Sequence, residues 1–365
     1  MKEKKPLLVL AIVIVLLLCG VGTGYAKVTG VCVNCHTMHN SQGGAEMATF
    51  GSETGANNAL VRGSCLGCHG QDPTGTLNVI TNIPQVLHKA TDDLAGGNFT
   101  YVLTGGTAPT TGTTQTAGHN VIDGTIVSET VLTVPPGDEN STLVTNANFT
   151  CAGTYGCHGD RAISGSFAGI SGAHHTGTDG LCNTASTVGN SYRFLKGVKG
   201  HENMDATYRW QNFNTQYHNE YFGIAAGTEG GSATAPAGNT ISGLCAECHG
   251  NFHGITNDIG DDATSPFTRH PTDIVLKGSG EYTNYTTYSV VAPVARVDIT
   301  TVNTAGVSNV VTPGTDVVMC LSCHGAHATA YEDILRWNYT GMIAASTSGD
   351  TTTGCFICHT AKDDV

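Results

Sequence analysis

Hydrophobic residues are concentrated at the start of the chain. Charged residues at 2–5 precede an unbroken apolar run from Leu7 to Leu18, and small and polar residues follow before Lys27. A charged start, a short apolar stretch and a small-residue end at 24–26 are typical of a secretory signal. We therefore predict that residues 1–26 are a cleaved signal peptide. The mature protein is expected to be exported to the extracellular or outer cell surface, with the periplasm as second choice.

A transmembrane anchor is the alternative interpretation of the same apolar run. The run covers about 16 residues even when it is extended to Gly22, which is short of the roughly 20 needed to cross a bilayer. Lipidation of Cys19 is a second alternative, but that chemistry usually requires a small residue before the cysteine, and Leu18 is large. Cleavage is the prediction carried forward.

Beyond residue 27 the hydrophobic pattern is only weakly periodic. β-Branched residues alternate loosely in 121–134 and 285–299, which favours a hairpin or edge strands. The better helix candidates, 191–199 and 331–339, are short. The fold class that this pattern predicts is mostly irregular coil with short helices and few β-strands.

Long runs of Gly, Thr, Ser, Ala and Asn at 105–118 and 227–243 predict loops. Loops of that length normally count against a compact domain. We nevertheless expect one domain over residues 27–365, with a weak seam near 227–243. Such a domain needs a source of order other than a conventional apolar core.

Composition narrows the class of protein. The 365 residues include 48 Gly, and only 12% are charged, about half the usual quarter. Sixteen Lys and Arg against 29 Asp and Glu give a net charge of −13. This balance argues against a nucleic-acid partner, because Lys and Arg supply most of the affinity for phosphate. The 14 Cys and 16 His are many for such a chain, and they direct attention to metal or cofactor chemistry.

Cysteine and histidine recur together in a fixed motif. Cys-x-x-Cys-His is the attachment signature of c-type haem, in which two thioethers hold the porphyrin and the histidine is the proximal iron ligand. Zinc sites and disulfide frameworks also use spaced cysteines, but neither requires a histidine after every second one. The motif occurs at Cys32, Cys35 and His36, at Cys65, Cys68 and His69, at Cys245, Cys248 and His249, at Cys320, Cys323 and His324, and at Cys355, Cys358 and His359.

A sixth site has a longer spacing. Cys151 and Cys157 are separated by five residues, and His158 follows. Glycines in the bulge can take positive φ and so bring both sulfurs to the vinyl groups of one porphyrin. The alternatives are a disulfide from Cys182 to either cysteine, or one thioether at Cys157 with a disulfide between Cys151 and Cys182. We therefore expect six haem c groups, or five if this segment is not a haem site.

Six haems that are closed on both faces need six distal ligands. Neighbouring histidines, or histidines three or four residues apart as at 36 and 39, 249 and 253, and 324 and 327, can serve two adjacent haems. His88, His201 and His218 are weaker candidates. The distal candidates, one more than is needed, are His39, His119, His174, His175, His253, His270 and His327.

This surplus of histidine bears on function. Bis-His ligation leaves no open iron face, so it favours electron transfer over catalysis. No Cys-x-x-Cys-Lys occurs, and the chain has no phosphate loop, nucleophile motif or flavin fingerprint. We predict an electron-transfer protein and not an enzyme. The alternative is a periplasmic multihaem reductase of a small substrate with one open haem face.

Attached porphyrins also explain the predicted fold. Each one closes the chain around a rigid apolar disc, by a logic similar to that of disulfides and metals in small scaffolds. Six haems in about 339 mature residues give roughly 56 residues per haem, fewer than a self-sufficient domain usually has. The core is expected to be supplied largely by cofactor.

Several segments resemble extracellular multihaem c-type cytochromes of metal-reducing bacteria, and in particular the filament-forming outer-membrane cytochrome S and E type. The opening GVCVNCHTMHNSQGG at 30–44 carries this resemblance most clearly. Further similar segments are LAGGNFTYV at 94–102, GHNV at 118–121, CAGTYGCHG at 151–159, SYRFLKGVKG at 191–200, HNEY at 218–221, RHPTD at 269–273 and CLSCHGAH at 320–327.

The resemblance implies a filament in which haems stack in a continuous chain. In such cytochromes the second histidine of the CHTMH segment ligates a haem of the neighbouring subunit, and here that role falls on His39. The partners it implies are other copies of the chain, other cytochromes and extracellular metal or mineral acceptors. A monomeric surface cytochrome, in which His39 binds a haem of its own chain, is the alternative. The long spacing at Cys151 and Cys157 departs from the motif.

Overall fold

The computed structural model describes much of the chain beyond residue 26. The described residues are 27–28, 30–49, 54–71, 83–88, 93–103, 114–123, 126, 128–137, 143–176, 180–225, 238–252, 270–300, 307–343 and 354–360. The predicted signal peptide, Cys19, His253 and most of the predicted seam lie outside them. Within these ranges, no helix has both the length and the apolar character needed to cross a membrane.

The helices are single turns or little more. α-Helices α1, α2 and α3 span Leu66–His69, Ser166–Ile170 and Ile241–Ala246. Thr240 caps α3 by accepting a hydrogen bond from the Gly243 N–H. The 3₁₀ turns are Cys32–Asn34, Phe99–Val102, Thr114–Ala117, Ala173–His175, Tyr192–Phe194, Gly250–Phe252, Gly280–Tyr282, Cys320–Ser322, Glu332–Ile334, Tyr339–Gly341 and Gly354–Ile357.

The strands are equally short. The strands β1 to β10 span Ser41–Gln42, Ala45–Glu46, Thr150–Ala152, Gly156–His158, Leu181–Cys182, Gly200–His201, Glu220–Phe222, Ile274–Val275, Ala295–Arg296 and Val317–Val318. β1 pairs with β2 in antiparallel orientation, and β3 pairs with β4 in parallel orientation. A further sheet has the order β5-β6-β7-β9-β10-β8. That sheet is antiparallel except where β7 runs parallel to β9, with Tyr221 opposite Ala295.

The apolar side chains form separate small clusters, not one large core. One cluster gathers Tyr288, Val294 and Trp337, and the motif cysteines Cys323 and Cys358 pack at its edge. A second lies on the six-stranded sheet around Tyr221 and Met319, and a third includes Phe99 and Val102 with Cys151 at its edge. The clusters therefore border the cysteine motifs, as expected where cofactors supply part of the core.

The six-stranded sheet also holds a buried charge network. Arg296 donates from Nε to Glu220 at 2.9 Å and also bonds Asp316. The His218 ring stacks on Tyr288 with centroids 3.8 Å apart and lies 3.4 Å from Glu220. Burial of these charged groups is tolerated because they are paired with one another.

Mostly irregular coil with short helices and few strands is confirmed as the fold class, but some predicted elements differ. The described part of 121–134 has no strand, and 285–299 contributes only β9 and a bridge from Thr287 to Val310. The helices predicted over 191–199 and 331–339 are broken into 3₁₀ turns, because Arg193 and Asp333 adopt left-handed φ angles of 48° and 56°.

Candidate functional site

Each Cys-x-x-Cys-His motif folds as one tight turn. In every one the histidine N–H donates to the carbonyl of the first cysteine, four residues back, at 2.8–3.1 Å. This bond brings the two cysteines and the histidine onto one side of the turn. We number the sites in chain order: I (Cys32, Cys35, His36), II (Cys65, Cys68, His69), III (Cys151, Cys157, His158), IV (Cys245, Cys248, His249), V (Cys320, Cys323, His324) and VI (Cys355, Cys358, His359).

Site III reaches a comparable arrangement by a different route. Its longer spacing folds back so that Thr150 pairs with Gly156 and Ala152 with His158. Gly153 takes φ +80°, and a Cβ there would lie 2.8 Å from the Gly165 carbonyl oxygen, so the bulge requires glycine. Cys151, Cys157 and Cys182 are all free thiols. The disulfides considered for Cys182 are therefore not formed in this structure.

Four motif histidines are oriented by a backbone carbonyl at Nδ1. His69, His158 and His249 each lie 2.8 Å from a backbone carbonyl oxygen, of Pro84, Arg193 and Pro136. His324 Nδ1 and the Asp333 carbonyl oxygen are 3.0 Å apart. His359 differs, because its Nδ1 lies 3.1 Å from the Glu281 carboxylate without forming a hydrogen bond. A ring that donates from Nδ1 presents Nε2 to a metal, which is the usual arrangement around ligating histidines.

The broken helices supply two of these acceptors. Arg193 and Phe194 form a left-handed pair beside site III, and Asp333 and Ile334 form a matching pair beside site V. The first carbonyl of each pair faces the histidine Nδ1, and the second accepts the N–H of the glycine after that histidine. The strain of left-handed non-glycine residues is therefore located where the histidine rings are held.

Five motif histidines face a second histidine across a uniform gap. Two imidazole nitrogens about 2 Å from a shared metal ion would put the ring centres roughly 6 Å apart. The observed spacings match that value, so the residues present fit a haem iron between two imidazoles. The centroid distances are 6.1 Å for His36 and His175, 6.4 Å for His69 and His174, 6.2 Å for His158 and His327, 6.2 Å for His249 and His119, and 6.2 Å for His359 and His270.

Burial keeps several of these rings neutral. Desolvation lowers the pKa of His119 to about 4 and that of His327 to about 3. The pKa values of His69 and His158 are lowered by the same cause, which outweighs the acceptor carbonyls. A neutral imidazole is the form that binds a metal ion.

Contacts between cysteines show how the sites follow one another. The Cys35 thiol hydrogen-bonds Cys68, which joins sites I and II, and Cys65 contacts Cys151, which joins sites II and III. Cys157 is within electrostatic range of Cys248, the Cys245 thiol hydrogen-bonds Cys320, and Cys323 interacts with Cys355. Sites I to VI are therefore consecutive neighbours in space as well as in sequence.

Site V differs from the others. No ring contact between His324 and a second histidine occurs among the described residues. His39, which is exposed, has its Nδ1 3.0 Å from the Asn57 carbonyl oxygen, and its φ is +58°. This is the same Nδ1 arrangement as at the four motif histidines with a carbonyl acceptor. The Nε2 atom of His39 is on the side of the ring away from this hydrogen bond. It has no histidine partner in the described part of its own chain.

The weaker candidates have other surroundings. His88 is 2% exposed and contacts Asn98 and Asp93, and His218 is fully buried against Tyr288. His201 lies on β6 within the sheet. The distal candidate His253 lies outside the described residues. Sequence reasoning missed the carbonyl acceptors and the left-handed pairs, for which no glycine or other clear local signal is present.

Cys182, to which the sequence assigned no role, lies in a buried polar cluster with Lys27, the first described residue. Its sulfur is 3.6 Å from Lys27 Nζ, and burial raises the pKa of the thiol to about 12. Lys27 pairs with Glu202 at 2.8 Å, and its backbone N–H donates to the Thr176 carbonyl, next to His175. The cluster therefore holds in place the segment that contains His174 and His175.

Comparisons with known proteins agree with these features. No family model matches the chain. The C-type cytochrome OmcS of Geobacter sulfurreducens is 28% identical over 371 residues, covering 88% of this chain and 82% of that protein. Two solved structures are also similar. The OmcS nanowires from Geobacter sulfurreducens have a TM-score of 0.47 at 21% identity over 93% of both chains, and the Outer Membrane Cytochrome S Filament from the same organism has 0.45 at 22% over 88% of both.

The sequence relationship to OmcS covers most of both chains, and OmcS is by its name a c-type cytochrome. The haem c attachment motifs and the paired histidines point to the same cofactor. The chain therefore resembles a multihaem c-type cytochrome, and it is similar to OmcS over most of its length.

Proposed function

We propose that the chain is an exported hexahaem c-type cytochrome that carries electrons along a line of bis-His haems to acceptors outside the cell. We further propose that copies of it join end to end. Each bound haem supplies an iron that alternates between ferric and ferrous states. The chain's own residues fix the position of each haem, close both of its faces and set the order of the sites.

Each site assigns definite roles to its residues. The two cysteines hold the haem by thioethers, the motif histidine is the proximal ligand, and the facing histidine is the distal ligand. For site III this gives Cys151 and Cys157 as the attachment points, with His158 proximal and His327 distal. The support is the 6.2 Å spacing of these two rings, which equals that of the pairs at sites IV and VI.

The continuity of the sites supports transfer along the whole chain. Because cysteines of consecutive sites touch or interact, their haems would be neighbours from site I to site VI. His174 and His175, adjacent in sequence, face sites II and I, and so tie those two haems to one turn. No substrate needs to enter between them.

The observation that carries the assembly proposal is the pair of unmatched histidines. His324 has no facing histidine in the described chain, and His39 is exposed with its ring oriented as a ligand would be. His39 of one copy would therefore complete site V of the next. Met38, the apolar residue directly before His39, is 66% exposed.

The assembly proposal is tested with His39→Ala. Polymers seen by electron microscopy should be lost, while the haem content measured as the pyridine haemochrome stays the same, because site V keeps its cysteines and His324. His253→Ala tests the other unassigned distal candidate and should still polymerise. Polymers of normal length in His39→Ala, or loss of polymers in His253→Ala alone, would reject the role of His39.

A reductase with one open haem face is the rival, and the lack of a distal histidine for His324 in the described chain favours it. Carbon monoxide separates the two. In our proposal the reduced monomer binds about one carbon monoxide and the assembled form almost none, because His39 closes the site. A reductase would bind carbon monoxide stoichiometrically in both forms. A monomer that binds none would mean that the chain closes site V itself, with His253 or His39.

Export is the remaining part of the proposal. Cleavage after Ala26 would make Lys27 the first residue, and Lys27 is buried and fully bonded in the structure. The net charge of −13 and the added haem carboxylates favour cationic acceptors, such as metal ions, mineral surfaces and basic patches of other cytochromes. Sequencing the N-terminus of protein recovered from outside the cell tests this part.

A further inference from the structure

The described arginines fall into two classes. Arg161 bonds the Glu247 carboxylate through two nitrogens at 2.6 Å, and Arg296 lies between two carboxylates. Both of these belong to the first class, which is paired with carboxylates. The side chains of the second class have no carboxylate partner, and each has one buried N–H group without a hydrogen-bond partner. These groups are Arg62 Nε, Arg193 Nη1, Arg209 Nε and Arg336 Nη2.

Arg62 lies where sites I and II meet. Its side chain is 8% exposed, and two of its nitrogens donate to the carbonyls of Asn34 and Met47. Its backbone N–H donates to the Cys35 carbonyl at 3.2 Å, and its charge acts on the thiols of both Cys35 and Cys68. The unbonded Nε–H is therefore buried beside two cofactor attachment points.

Arg193 is the residue whose carbonyl faces His158 of site III. Its guanidinium stacks 4.4 Å from the Trp210 ring, and one nitrogen donates to Asn219. This leaves Nη1 buried and unbonded. The left-handed backbone that holds His158 thus also brings a cation to the same site.

Arg336 is the arginine beside site V. Its backbone N–H donates to Cys323 at 2.9 Å, and its Nε donates to the Leu321 carbonyl at 2.8 Å. Trp337, 5% exposed, packs with the cysteines of sites V and VI and also has a buried, unbonded Nε1–H. Two consecutive residues therefore each carry an unsatisfied donor near sites V and VI.

A buried guanidinium without an anionic acceptor is costly, and carboxylates are the geometrically matched partners of Arg. Each haem carries two propionate carboxylates. We propose that Arg62, Arg193 and Arg336, the last together with Trp337, bind haem propionates at sites I and II, at site III, and at sites V and VI respectively. This inference rests on the haem placement given above. Arg209 is left out because no described contact joins it to a motif residue.

Substitution to glutamine tests the three arginines one at a time. Arg62→Gln, Arg193→Gln and Arg336→Gln each remove a positive charge next to a haem, so the ferric form of that haem is favoured. At a fixed potential we expect about a tenfold higher ferric-to-ferrous ratio for one component, a shift of about 59 mV toward negative potential. Lysine at the same position should restore most of the shift, which a purely structural role would not predict.

Arg161→Gln is the matched control. Arg161 lies near Cys157 of site III, but its nitrogens are already bonded to Glu247 and the Lys196 carbonyl. Its spectroelectrochemical titration should shift much less than those of the three variants, because Arg161 and Glu247 are 22% and 47% exposed and water and salt screen their charges. Full haem content with no shift in any of the three glutamine variants would overturn the proposal.

An experimental structure of the haem-loaded protein keeps the test decisive if a variant fails to acquire haem. A propionate oxygen within about 3.2 Å of Arg62 Nε, Arg193 Nη1 and Arg336 Nη2 is the expected result. Propionates that face solvent, with those N–H groups still unbonded, would overturn it. Fewer than six haems would count against the proposed function, whereas six haems with other propionate partners would count against the arginine assignment alone.

Discussion

Breaking the buried pair of Lys27 and Glu202 from one side should cost the fold several kilocalories per mole. Both side chains are 1% exposed, and Lys27 Nζ lies 2.8 Å from Glu202 and 2.7 Å from the Ser191 carbonyl. The ammonium also lies 4.7 Å from the centre of the Phe194 ring. Because the charges are out of water, removing one of them leaves the other without compensation.

Glu202→Gln is the sharpest perturbation of this pair. Glutamine keeps the shape and an acceptor for the Arg193 N–H, which donates to Glu202 at 2.7 Å, but it removes the negative charge. Breaking a buried pair from one side costs about 3–5 kcal/mol. We expect a loss of that size in the free energy of unfolding, measured by guanidinium denaturation followed at the Soret band.

The exposed pair of Arg161 and Glu247 is the control. Its side chains are 22% and 47% exposed, so Glu247→Gln should cost less than about 1 kcal/mol. Replacing both buried partners, with Lys27→Met and Glu202→Leu, should recover most of the loss, because no unpaired charge remains. A cost of Glu202→Gln no larger than that of the control would refute the reasoning.

Other variants test single residues. His327→Ala should turn one haem high-spin with no loss of haem, whereas His88→Gln should leave the spin state unchanged; a low-spin His327→Ala protein would contradict the pairing with His158. Cys157→Ser should leave one haem on a single thioether and shift the pyridine haemochrome band to longer wavelength, and an unshifted band would mean that Cys157 is not attached. Arg296→Met should cost about 3–5 kcal/mol in thermal or denaturant unfolding, and a change below about 1 kcal/mol would show that its carboxylate partners do not need it.

The cofactor could be predicted from the sequence because its chemistry is local. Thioether attachment requires two cysteines and a histidine within a few residues, so the motif is visible without any knowledge of the fold. The coil-rich fold class followed from the weak periodicity and the abundant glycine. The expectation that His174 and His175 serve two irons also depended only on adjacency, and the structure places them against His69 and His36.

Long-range pairings were beyond the reach of the sequence. His327 faces His158, and His119 faces His249, across more than a hundred residues of chain with no periodic pattern to align them. The helices expected over 191–199 and 331–339 failed for a related reason. The carbonyls of Arg193 and Asp333 are needed by distant histidines, and those tertiary hydrogen bonds override the local preference for helix.

The proposed path for electrons requires six haems attached to one chain. The intact mass of the mature protein decides this, because each haem adds about 0.6 kDa through the covalent chemistry of its motif. We predict the mass of residues 27–365 plus six haems, with site III included. A mass corresponding to five haems would show that Cys151, Cys157 and His158 do not form a haem site, and the continuous line from site II to site IV would be broken.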